Sequence, residues 1–288
     1  MPAFETKEQL KERPALTVYL IRHGESGKNK INPNRGLTDK GREQVKVAFN
    51  KIIDQIIADE VPDFKDWDKP EARAAALKQA MEKVAIHLRD SGTNRTIEQE
   101  WVEKEVLTSL GVKPEQINLP DSAYEWQDVA RPQTAGPGIQ KRLKGVQGLE
   151  TNKITMGFRK KIGDKKYQKS LGASDEIVAW ALTPEDKIPE GVENVRQMSE
   201  RKNRDLAKVE RIAAKLGQRD KRIIYVANSH ASILSLSAAD ELGIPLPEVG
   251  EVENAEGLRL DFYSSGKKHE ARPVGEKIEE LVKDKRKE

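Results

Sequence analysis

The sequence predicts an α/β protein, a three-layer α/β/α sandwich with a mostly parallel central sheet and a helical insertion. Two apolar runs carry that expectation: Leu16, Val18, Leu20 and Ile21 with Thr17 and Tyr19 between them, and Ile223, Ile224, Tyr225, Val226 and Ala227. Both are short, nearly continuous and rich in β-branched or aromatic residues, which is how strands buried on both faces of a parallel sheet read. The third observation is that stripes with a helical period lie between and beyond these runs. Strands that alternate with helices bury both faces of a sheet.

In chain order, residues 1–15 form a charged extension, and the first strand opens into Arg22-His23-Gly24-Glu25-Ser26 and a polar loop reaching Leu37. Thr38 or Asp39 can cap a helix in which Val45, Ala48, Phe49, Ile52 and Ile56 recur on one face. Pro62, Trp67 and Pro70 then punctuate the chain, and Leu77, Ala80, Met81, Val84 and Leu88 predict a second amphipathic helix up to Ser91-Gly92. A third helix is expected from Thr96 to Leu110, so about 60–120 is predicted to be a helical cap inserted into the domain. Residues 130–175, rich in Gly and Lys/Arg, predict loops and short elements. Val195, Met198, Leu206, Val209, Ala213 and Leu216 mark a long helix stopped by Gly217. After the second apolar run, Leu234, Ala238 and Leu242 predict a helix ended by Gly243 with Pro245 behind it. Leu258, Leu260 and Phe262 alternate as a further strand, which closes a main domain over 16–265 and leaves 266–288 as a charged tail.

Composition narrows the chemistry. The 288 residues carry 51 Lys+Arg against 48 Asp+Glu, a net charge of +3, with 36% hydrophobic residues. That is enough apolar material for a real core, and the near balance argues against a protein built to coat nucleic acid. No cysteine is present, which excludes disulfides, thiolate nucleophiles and cysteine-ligated metal sites. Neither an HExxH pattern nor an Asp-rich loop occurs, so no metal and no cofactor is expected. The first residues lack an apolar leader core, and no apolar run reaches bilayer length. A cytoplasmic protein with no membrane partner is the expectation.

Two of the four histidines, His23 and His230, follow directly on the two apolar runs. In open α/β sheets the carboxyl edge of the strands is where ligands bind. Arg22 offers a fork of donors to phosphoryl oxygens, Gly24 lets backbone approach closely, and a neutral imidazole is a competent nucleophile. His87 reads as a buried structural histidine and His269 as an exposed one. The segment Gly24-Glu25-Ser26-Gly27-Lys28 lacks the upstream glycine and the Ser/Thr of a nucleotide loop. The basic run at 158–167 reads as a solvated face, or as a field steering anionic substrates if it borders the site.

These residues resemble the histidine phosphatase superfamily, also called phosphoglycerate mutase-like. The likeness rests on Leu20-Ile21-Arg22-His23-Gly24-Glu25-Ser26 with Asn29 beyond, on Leu37-Thr38-Asp39-Lys40-Gly41-Arg42-Glu43-Gln44, on Arg131-Pro132-Gln133-Thr134-Ala135, on Glu190-Gly191-Val192-Glu193-Asn194, and on Val226-Ala227-Asn228-Ser229-His230. All occur in family order. The resemblance implies that His23 attacks phosphorus and becomes a phosphohistidine, with Arg22, Asn29, Arg131 and His230 binding the phosphate. Arg142 is the substitute for Arg131, since the spacing before Thr134 differs by one from the family's. Glu150 is the nearest match to the family's proton donor. Ala231 after the second histidine argues against the phytase branch. The implied partner is a phosphorylated small molecule, or a phosphoprotein. The function expected is a phosphatase acting on a phosphate monoester, with a phosphoglycerate mutase-type phosphotransferase and a non-catalytic phosphate-pocket binding module as the alternatives.

Overall fold

The structure is a computed structural model that describes residues 12–27, 35–91, 93–113, 116–118, 156–216 and 221–285. Among these, six strands form one sheet: β1 (Leu16–Arg22), β2 (Val84–Arg89), β3 (Ile117–Asn118), β4 (Arg222–Ser229), β5 (Gly257–Phe262) and β6 (Glu270–Val274), in the order β3-β2-β4-β1-β5-β6. The pairings β1–β4, β2–β4 and β2–β3 are parallel, whereas β1–β5 and β5–β6 are antiparallel, so the sheet is mixed.

The helices are α1 (Asp39–Glu60), α2 (Pro70–Lys83), α3 (Asn94–Ser109), α4 (Met156–Ile162), α5 (Lys165–Leu171), α6 (Glu176–Leu182), α7 (Val195–Leu216), α8 (Ala231–Leu242), α9 (Leu246–Val249) and α10 (Glu276–Lys285). Alternate side chains of β1 and β4 enter two separate clusters, because successive residues of a strand point to opposite faces. Tyr19, Ile21, Ile224 and Val226 pack with Phe49, Ile52, Ile53 and Ile56 of α1, Leu77 and Met81 of α2, and Leu107 of α3. Leu16, Val18, Leu20, Tyr225 and Ala227 pack with Leu206, Val209 and Ala213 of α7, Leu234 and Ala238 of α8, and Ile278 of α10. A third cluster, with Phe158, Ile162 and Trp180, ties α4 and α6 to Met198 of α7 and to Ile233 and Leu236 of α8. No helix among the described residues is long and apolar enough to cross a membrane.

Two of the predicted helix boundaries have a physical cap. Thr38 caps α1 by accepting from Gly41 N, and Gly243 ends α8 in the left-handed region at φ 69°.

Three expectations are corrected. The second helix stops at Lys83, and residues 84–89 are β2, hydrogen-bonded to both β3 and β4. Residues 60–120 are therefore not a helical cap but supply an interior strand with α2 and α3 on one of its faces. The tail at 266–288 contains β6 and α10, which close the sheet's edge and cover part of its core. His269, expected at the surface, is buried, with Nδ1 2.7 Å from Glu210 and Nε2 2.8 Å from Glu241. Burial disfavours its charged form, but the bonds to Glu241 and Glu210 outweigh that and raise its pKa above the ordinary histidine value.

Candidate active site

The parallel register sets Leu16 opposite Ile223 and Arg22 opposite Ser229, so β1 and β4 finish level. The next residue on each strand is a histidine. His23 N extends the ladder by donating to Ser229 O at 3.2 Å, and the two imidazoles meet edge to face with centroids 5.5 Å apart. Two residues 207 positions apart in sequence thus share one sheet edge because two strands end together.

Hydrogen bonding sets the state of each ring. His23 Nδ1 lies 2.8 Å from Gly24 O, and a carbonyl only accepts, so Nδ1 carries the proton and Nε2 keeps its lone pair. His230 is the reverse case: Nδ1 lies 3.2 Å from Arg95 Nη2, which only donates, so the proton sits on Nε2 and is donated to Ser91 Oγ at 2.8 Å. Burial pushes the His23 imidazolium down to about 2, against the opposing bond from Gly24 O and helped by Arg95, His230 and Arg22. Burial thus favours the neutral imidazole of His23, whose Nε2 lone pair is available.

Close backbone packing seats this loop. A Cβ on Gly24 would lie 2.3 Å from Gly41 O, and one on Gly41 would lie 2.0 Å from Glu25 O. The first turn of α1 and the His23 loop touch through two glycines. Glu25 N donates to Gln44 Oε1 at 2.9 Å and Thr38 N to Glu25 O at 2.9 Å, so α1 also holds the loop by hydrogen bonds.

Arg22 lies beside this pair but turns toward the segment ahead of β5. It donates to Val252 O and pairs with Glu251 Oε1 at 2.6 Å, with 14% of its side chain exposed. Of the residues singled out in the sequence, Arg22, His23 and His230 are together. Asn29, Arg131, Arg142 and Glu150 lie outside the described residues.

Sequence reasoning missed Ser91 and Arg95. Both follow β2, and Arg95 stands in the first turn of α3. The available signal was the alternation of Val84, Ile86 and Leu88, whose carboxyl end is the same kind of place as the two histidines occupy. An arginine just inside the helix that follows such a strand points a cationic fork at the same edge.

No family model and no curated protein sequence matches the chain. Solved structures do. One is a phosphoglycerate mutase from Bacillus anthracis, 14% identical at a TM-score of 0.46, covering 94% of this chain and 98% of that one. A mycobacterial glucosyl-3-phosphoglycerate phosphatase is 16% identical at a TM-score of 0.42, covering 90% and 96%. A phosphoserine phosphatase from Entamoeba histolytica is 14% identical at a TM-score of 0.41, covering 92% and 99%.

Proposed function

We propose that this protein is a histidine-dependent phosphatase that hydrolyses a phosphate monoester through a phosphohistidine on His23. The observation that carries the reading is the His23–His230 pair: one ring keeps a bare Nε2, the other donates its Nε2–H to the exchangeable hydroxyl of Ser91, and an arginine stands against the second. Phosphoryl transfer needs positioning and cationic donors around spreading negative charge more than it needs bond-making groups.

In this scheme the Nε2 lone pair of His23 attacks phosphorus in line, and the bond to the leaving oxygen breaks. The leaving alkoxide takes a proton from an acid, the role the family resemblance gives to Glu150. His230, turning its Nε2–H from Ser91 Oγ to the substrate, and the guanidinium of Arg95 receive the equatorial oxygens, and Arg22 joins them by exchanging Glu251 for phosphate. Asn29 and one of Arg131 or Arg142 are further phosphate contacts in the same scheme. Water then attacks phosphorus, the N–P bond breaks, and its proton returns to the acid. A phosphorylated small molecule is the substrate class, and no step calls for a metal or a redox cofactor.

The test is rapid mixing with a panel of radiolabelled small phosphate monoesters, quenched without acid, on wild type and His23→Ala. An acid-labile protein-bound label on wild type alone, followed by release of phosphate, is the expected result. A label handed to an acceptor acid instead of water identifies the phosphotransferase. Tight binding of phosphate monoesters with no label on wild type identifies the binding module and overturns the proposal.

A further inference from the structure

Behind the two histidines lies a buried polar chain that the proposed chemistry does not use. Gly24 N donates to Gln99 Oε1 at 3.2 Å, Gln99 Nε2 reaches Asn228 Oδ1 at 2.6 Å and Glu103 Oε1 at 3.0 Å, and Asn228 Nδ2 donates to Glu103 Oε2 at 3.1 Å. Gln99 and Glu103 are each 1% exposed and Asn228 is fully buried. The chain joins three elements: the loop after β1, the buried face of α3, and the end of β4 two residues before His230.

Donor and acceptor rules allow these amides one arrangement. A backbone N–H can only donate, so Gln99 must turn Oε1 to Gly24 and Nε2 inward. Asn228 then meets that Nε2 with Oδ1, which turns Nδ2 toward Glu103. Glu103 takes the two amide groups on separate oxygens and ends the chain. Apolar residues at these positions would pack without the desolvation such groups suffer, and this costly network lies directly behind the site.

Its mechanical effect falls on His23. The peptide before Gly24 is held by Gln99 and the peptide after it by Gln44, through Glu25 N. Gly24 O, the acceptor that fixes the His23 tautomer, belongs to the second of these peptides and is aligned by both clamps. We propose that Gln99, braced by Glu103 and Asn228, is a positioning residue that fixes the orientation and tautomer of His23 relative to His230. The inference takes its functional meaning from the reading of His23 as nucleophile.

The experiment is nitrogen-15 NMR of the histidine rings of the full chain at pH 7, combined with kcat and KM for a phosphate monoester, on wild type, Gln99→Leu and Glu103→Gln. Four histidines keep the spectrum assignable by single substitution. Wild type should show His23 as the Nδ1–H tautomer. Gln99→Leu should move it toward a tautomer mixture, shift the His230 signals, leave those of His269 in place, and lower kcat by about 10- to 100-fold with little change in KM. Glu103→Gln sets an amide NH2 against another donor and should do the same to a smaller degree; it carries the test if Gln99→Leu does not fold. Folded variants with wild-type His23 and His230 signals and wild-type kcat overturn the inference, whatever the protein's activity. Shifted ring signals in a protein that never forms phosphohistidine would uphold the positioning role and sink the phosphatase reading, so the two failures are distinct.

Discussion

Gly24→Ala tests whether the His23 loop owes its place to backbone contact with α1. A Cβ at this position would stand 2.3 Å from Gly41 O, 2.9 Å from Gly41 C and 3.0 Å from Val45 Cγ2. The nearest atoms are backbone in the first turn of a helix anchored by Val45 and Phe49 in the core, so they cannot swing aside as a flexible side chain would. Restoring ordinary contact requires the loop to move by roughly 1 Å, enough to misplace a reacting atom by a distance that lowers turnover on the order of 100-fold. The overpacking itself is expected to destabilise the fold by about 1–3 kcal/mol. Gly27→Ala is the control, because a Cβ there meets only Arg35 Cβ at 3.9 Å. Urea unfolding and kcat/KM on a phosphate monoester are measured for both. Full activity in Gly24→Ala, or equal losses in the two variants, refutes the argument that this contact seats the nucleophile.

Arg95→Ala should lower kcat/KM by about 100- to 1,000-fold, the range seen when one preorganised donor is removed from a site of developing charge. Arg95→Lys should recover part of it, since the charge remains and the planar fork does not; wild-type kinetics in Arg95→Ala would remove this residue from the site. A separate prediction concerns acid stability. His87 is buried against the Tyr225 ring, and burial, helped by Arg89, pushes its imidazolium down to about 3. A depressed histidine pKa means stability that is intact above the unfolded value near 6.5 and is lost as pH falls toward the folded value. At pH 5 the loss from this one group is about 2 kcal/mol. His87→Gln, whatever its effect at pH 7, should therefore lose about that much less than wild type between pH 7 and pH 5 in urea unfolding, and an equal loss in both proteins contradicts the assignment.

What was legible in the sequence was whatever had a local pattern. β1 and β4 announce themselves because both faces are buried, and the residue after each strand is then placed by chain direction alone. β2 was hidden by a coincidence of periods. Leu77, Ala80 and Met81 lie on a true helix, and Val84 and Leu88 continue its three-and-four spacing by chance while also alternating with Ile86 on a strand. Misreading that one segment concealed Ser91 and Arg95, since the edge they occupy is defined only by the strand before them. β6 was obscured for another reason: a short edge strand containing Pro273 and charged residues has no buried run to advertise it. His269 had no local signal at all, because its partners Glu210 and Glu241 come from two helices that only the tertiary fold brings near.

The two edges of the sheet differ in a way that bears on where an anion can sit. At the amino ends of β1 and β4 the arginines are matched: Arg222 lies 3.1 Å from both Asp59 and Glu60, and Arg259 lies 2.7 Å from Asp59 and 3.0 Å from Asp261. Each guanidinium there already has carboxylates around it, so a phosphate would have to displace buried pairs. At the carboxyl ends, β2 leads into α3 and β4 into α8, and a strand followed directly by a helix brings the helix N-terminus, with its partial positive charge, to that edge. His230 is the N-cap of α8, and Arg95 turns from α3 to meet it. Arg22 at this edge pairs with Glu251, a carboxylate that is 41% exposed. A partly solvated pair contributes little to stability, so its exchange for a doubly charged phosphate runs downhill where the same exchange at Arg222 or Arg259 would not. In the proposed function, the direction of the parallel strands, more than any single residue, is what makes one edge receptive to a phosphoryl group and the other closed to it.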